Sequence, residues 1–132
     1  MDLIQKKLND IQGFMKLTYG VVPIVAGADK FTNLLTAWPE YLNPVLAGIL
    51  PLSTNTFMMI VGLIEIAAGI LVLIKPKIGA LVVSAWLALI ALTILASGHF
   101  LDVAVRDLVM AIGALMLFKL SGLTEIAQTK TA

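Results

Sequence analysis

From Phe57 to Ser97 the chain is apolar almost without interruption, and Glu65 with the tripeptide Lys75-Pro76-Lys77 supplies its only charges. Each half of this run approaches the ~20 residues that a helix needs to cross a hydrocarbon core about 30 Å thick. A 132-residue chain that is 60% hydrophobic and 13% charged, with a mean hydropathy of +1.01, has too small an interior to hide such runs in water. Lipid accepts them on every outward helix face. The sequence therefore predicts an all-α integral membrane protein, a bundle of four spans in one membrane domain.

The spans follow from the breakers. Helix-spaced apolar residues Leu3, Ile4, Leu8, Ile11 and Met15, with polar residues opposite, predict an amphipathic interfacial helix over residues 1–14. The first span is expected over 15–31. Its uncharged stretch, Leu17 to Ala28, is only 12 residues long, so Lys16 is expected to snorkel while Asp29 and Lys30 lie inside the opposite interface. Pro23 is expected to kink it, and without a small-residue cleavage site this segment reads as retained, not as a signal peptide. Residues 32–56 carry Pro39, Pro44 and Pro51 and the headgroup-type aromatics Trp38 and Tyr41, and Leu42 to Leu52 is too short to cross; the expectation is a re-entrant or interfacial lid. The remaining spans are 57–74, 78–97 and 101–120, the last stopped by Ser121-Gly122, with a polar tail over 121–132.

Orientation follows from the basic residues. Seven lysines fall on the side of the Lys75-Pro76-Lys77 turn, against Lys30 and Arg106 on the other, which predicts both termini in the cytoplasm. Glycines at 13, 20 and 27, at 62 and 69, and the small residues Ala80, Ser84, Ala88 and Ala91 form faces suited to close packing within the bundle.

Several functions are excluded or weakened by what is missing. The chain has no Cys, so thiol chemistry and iron–sulfur ligation are out, and one His makes a His-based metal site poor. A net charge of +1 with no basic run gives no nucleic-acid surface.

The chemistry-bearing residues gather toward the outer half. Glu65 lies roughly 12 Å below the start of its span, with Gly62 and Gly69 on the same face, so it points into the bundle. Arg106 lies roughly 7 Å below the same boundary, and Asp29 comes near it from the first helix. Charges in a membrane each cost on the order of 3 kcal/mol, so opposite signs at matching depths should pair. The expectation is a Glu65–Arg106 ion pair with Asp29 close by. Asp107, Asp102 and His99 extend this polar group, His99 as a solvated turn residue, and Trp86 is a packing aromatic or a ring partner for a flat ligand. A structural staple, a site for a polar ligand, and a proton-coupled transport site are all compatible with the cluster.

Three stretches carry a family resemblance: 20–31, GVVPIVAGADKF; 62–69, GLIEIAAG; and Arg106-Asp107-Leu108. Over roughly Met15 to Leu120 the chain resembles the DoxX-like family of small four-helix bacterial membrane proteins. That resemblance implies the bacterial cytoplasmic (inner) membrane and association with membrane redox systems. No haem or flavin site is evident, so a redox role would need a bound quinone or a partner that carries the cofactor. Three functions follow as expectations: an accessory or anchoring subunit, with other membrane subunits or further copies of itself as partners; a small proton-coupled transporter using Glu65; and a quinone- or lipid-binding enzyme. The accessory reading, without catalysis of its own, is preferred. Against the transporter stand the position of the acid in the second span, the long first loop and the charge asymmetry.

Overall fold

The computed structural model describes residues 3–35, 38–41, 44–49, 53–98 and 100–131. Among the described residues every regular element is a helix, with no strand. Four long helices dominate: α1 (Leu3–Asp29), α3 (Thr54–Ile74), α4 (Pro76–Ser97) and α5 (Leu101–Thr131). Between α1 and α3 lie a single 3₁₀ turn, Trp38–Tyr41, and the short α2 (Pro44–Ile49). Part of the expected lid, residues 36, 37, 42, 43 and 50–52, lies outside the described residues, as does His99.

Two expected boundaries are not formed. Helix α1 is continuous from Leu3 through Pro23 and ends at Asp29, so the segments expected as an interfacial helix and a separate first span form one helix. Helix α5 passes through Ser121-Gly122 and ends at Thr131. Ser121 is held there instead of terminating the helix: it is buried, and Gln12 Nε2 on α1 donates to its Oγ at 3.3 Å.

Helix α1 packs chiefly against α3, and α4 chiefly against α5; α3 also meets α4, and α1 meets α5. The α1–α3 contact is backbone on backbone. A Cβ built on Gly27 would lie 2.5 Å from the Gly62 carbonyl oxygen, and one on Gly69 would lie 2.5 Å from that of Gly20. The pairs 20/69 and 27/62 fix an antiparallel register, with one glycine from each helix at each crossing. The α4–α5 contact is lined by alanines instead: Ala80, Ala91, Ala104 and Ala114 are fully buried. Two side chains cross to α5 carbonyls, Ser84 Oγ to Ala111 O at 2.7 Å and Tyr19 Oη to Met110 O at 3.0 Å. The small faces read in the sequence on α3 and α4, and Gly20 and Gly27 on α1, are thus used inside the molecule. Gly13 meets nothing within 4 Å.

The α3–α4 turn is as tight as Lys75-Pro76-Lys77 suggested. Lys75 N–H closes α3 onto Leu71 O at 2.7 Å, Pro76 opens α4, and Gly79 stands so near Val72 that a Cβ there would lie 2.5 Å from its backbone. Helix α4 ends on Gly98 at φ 74°, a left-handed closure that glycine adopts without strain.

Helices α3 and α4 are both long and apolar enough to cross a membrane. Only 39% and 28% of their most apolar windows are buried in the chain, so most of that apolar surface faces outward.

Candidate functional site

The glycine register that joins α1 to α3 also sets the charges. Lys30 stands three residues after Gly27, and Glu65 three residues after Gly62, so each charge shares the face of a contact glycine. Lys30 Nζ donates to Glu65 Oε2 at 2.6 Å, with the two residues only 6% and 8% exposed. Burying this pair costs desolvation of both ions, which a short, charge-assisted hydrogen bond offsets. The expected Glu65–Arg106 pair is therefore replaced by Glu65–Lys30, and Arg106 is exposed. One residue is a rotation of about 100° on a helix: Asp107 turns inward with Ala104 and Ala111, which carries Arg106 off that face.

The pair is closed on the α1 side by the loop. The indole of Trp38 covers the Lys30 ammonium, 3.8 Å from nitrogen to ring centroid. Trp38 Nε1 in turn donates to Asp29 Oδ2 at 2.8 Å. Asp29 also accepts from Leu34 N–H at 3.0 Å, Leu35 N–H at 2.9 Å and Thr32 Oγ1 at 3.0 Å. Asn33, at φ 53° in the left-handed region that Asn tolerates, accepts from Trp38 N–H at 3.3 Å. Asp29 is buried as expected, but its carboxylate folds the chain back over Lys30 and makes no ion pair with Arg106.

On the α4 side Trp86 Nε1 points at Glu65 Oε1, 3.4 Å away. From α5 comes Asp107, 8% exposed and close enough to Lys30 and Glu65 for their charges to act on one another. Asp102 is exposed. The sequence brings Asp29, Lys30, Glu65, Trp86 and Asp107 into one group, and leaves Arg106 and Asp102 at its edge. Trp38 is the functional neighbour that sequence reasoning gave only a headgroup role.

Among the described residues no set of His, Asp or Glu side chains has the geometry to hold a metal ion. The arrangement supplies a buried ion pair, two indoles and a carboxylate. It fastens helices and holds charge; it presents no activated nucleophile.

No protein-family model, no curated protein and no solved structure matches this chain.

Proposed function

We propose that this chain is a multi-pass membrane protein of the bacterial inner membrane, a four-helix bundle with both termini in the cytoplasm, that serves as an accessory or anchoring subunit of a larger membrane complex. The observation that carries the reading is the Lys30–Glu65 pair. Glu65, the one acid in the two most apolar helices, α3 and α4, is committed at 2.6 Å to Lys30, whose ammonium the Trp38 indole covers, so it fastens α1 to α3 and is not free to alternate between proton and substrate. The outward faces remain apolar: Leu63, Ile70, Leu89, Leu92, Val109 and Ile112 are all exposed. Such a surface suits lipid and the helices of partner subunits. The resemblance to the DoxX-like family points the same way and suggests a quinone-linked redox complex, whose cofactor a partner would carry.

The test is purification from native membranes in a gentle detergent, followed by mass spectrometry of the co-purifying polypeptides and lipophilic molecules. Stoichiometric partner subunits are expected. A protein that emerges alone would remove the accessory reading and leave small-molecule transport as the next to test.

A further inference from the structure

The first turns of α1 face their polar side inward and their apolar side outward. Gly20 meets Gly69, and α3 ends five residues later at Ile74, so Leu3 to Phe14 extends roughly 18 Å past the end of α3. Helix α5 accompanies this extension: Gln5 is buried, and Gln12 Nε2 donates to Ser121 Oγ at 3.3 Å. The opposite side carries Leu3, Ile4, Ile11 and Phe14, which are 52% to 74% exposed. A helix that faces water is built the other way round. The hydrocarbon core does not cover this side, because Lys6, Lys7 and Asp10 are exposed on the same turns and charge is costly there. Nor can the extension lie along the membrane surface, since it is continuous through Pro23 with the rest of α1.

The apolar side is a heptad seam. Ile4, Ile11, Thr18 and Val25 recur at every seventh residue, Lys7, Phe14 and Val21 stand three residues after the first three of them, and all seven are exposed. This spacing is that of a coiled-coil seam, and β-branched residues at the positions of 4, 11, 18 and 25 favour two parallel strands. The Thr18 hydroxyl already donates to Phe14 O at 3.0 Å, so it enters an apolar seam without losing a hydrogen bond. Lys7 is the one charge in the seam, and Asp10, three residues on, offers a carboxylate of opposite sign at its edge. With Leu3 and Leu17 alongside, the apolar side chains expose roughly 700 Å² per copy, near the ~800 Å² per partner of a stable interface. A second copy inserted in the same direction presents this seam parallel and in register.

We propose that α1 is a pairing helix, through which two copies of this chain associate about a two-fold axis along the membrane normal, seam against seam from Ile4 to Val25. The pairing rests on the membrane-spanning reading above and is independent of the subunit role.

The experiment introduces single cysteines into the full chain, which has none of its own. Ile11→Cys and Phe14→Cys lie in the seam; Lys6→Cys, on another side of α1, and Leu89→Cys, on α4, are exposed positions outside it. Membranes from cells that express two differently tagged copies of each variant are treated with a short, membrane-permeant bis-maleimide. The expected product is a crosslinked species that carries both tags, formed from the two seam variants and far less from the two controls. Adding Ile11→Lys to Phe14→Cys places a charge that is solvated in the single chain but buried in the pair, and should lower the product by roughly tenfold or more. Equal product from seam and control positions, no product from either seam variant, or a product that holds a different polypeptide overturns the proposal. Undiminished crosslinking with Ile11→Lys overturns it as well. An alkaline carbonate wash of the same membranes tests the membrane reading separately. The chain is expected to stay in the pellet, and its release with the seam crosslinks formed would remove that reading and leave the pairing in place.

Discussion

Lys30 and Glu65 meet at 2.6 Å because each stands three residues beyond a glycine, Gly27 on α1 and Gly62 on α3, whose backbones touch. Small residues and charges are one device here: the glycines bring the helices within reach, and the pair fixes which residues face each other. Removing one partner strands the other in a buried position. Lys30→Met and Glu65→Leu should each lower stability by about 3 kcal/mol or more, whereas the double substitution should recover much of that loss. Thermal unfolding of all four proteins in the same mild detergent measures the cycle. A double variant as unstable as the sum of the singles would show that the pair does not act as a unit.

The glycine contact makes a sharper prediction about position. Gly27→Ala places a methyl 2.5 Å from the Gly62 carbonyl oxygen, which is backbone and cannot swing aside. The helices must separate, at a cost of about 1–3 kcal/mol. Gly13, on the same helix, meets nothing within 4 Å, so Gly13→Ala should gain the helix-propensity difference, up to about 1 kcal/mol. The same substitution on the same helix should thus change stability in opposite directions, read from the unfolding midpoints.

Helix α5 is held to α1 at a point where a missing side chain matters. A Cβ on Gly113 would overlap the Tyr19 hydroxyl, which donates to Met110 O. Gly113→Ala should displace the Tyr19 hydroxyl, a side-chain end that can move, and so cost about as much as the hydrogen bond it breaks, about 1 kcal/mol. Tyr19→Phe should lose only the hydrogen bond, about 1 kcal/mol. In the double variant the hydroxyl is gone, so its loss of stability should be smaller than the two single losses added together. Strict additivity would mean that the overlap is relieved elsewhere.

These predictions also mark where the sequence was legible. The middle helices could be read because breakers stand at their ends: Lys75-Pro76 divides α3 from α4, and Gly98 closes α4. The outer helices run further than their apolar stretches because a polar segment can continue a helix when nothing stops it. Residues 3–14 already had helical periodicity, and at 121–122 burial of Ser121 outweighs the weak helix preference of Ser-Gly. At the site, Gly62 and Gly69 correctly aimed Glu65 inward. The choice of Arg106 as its partner failed because depth along a helix says nothing of angle around it. Lys30 had the better signal, in the matched spacing Gly27 to Lys30 and Gly62 to Glu65. Trp38 was harder to place, since its position depends on four hydrogen bonds to Asp29 that only the folded loop assembles.

That loop gives a prediction of its own. Trp38→Phe keeps an aromatic face over Lys30 but removes the indole N–H that Asp29 accepts. Trp38→Leu removes both. Amide exchange across residues 32–35 should rise in both variants, since the Asp29 turn loses a donor, and the opening should be greater in Trp38→Leu. It should spread to the Lys30–Glu65 contact only in Trp38→Leu, where the ammonium loses its ring. Equal exchange in the two variants would deny the ring contact any role.

The orientation is open to a direct chemical test because the native chain has no cysteine, so each introduced thiol reports alone. Asn55 is exposed at the start of α3, and Lys77 stands in the turn at its other end, separated from it by a helix about 30 Å long. With both termini in the cytoplasm, Asn55→Cys should react with a membrane-impermeant maleimide in intact cells, and Lys77→Cys only after permeabilisation. The reverse pattern would invert the protein and place the Lys30–Glu65–Asp107 cluster toward the cytoplasm. Labelling of both in intact cells would mean that α3 does not cross the membrane, and its exposed leucines and isoleucines would then need a protein partner to cover them.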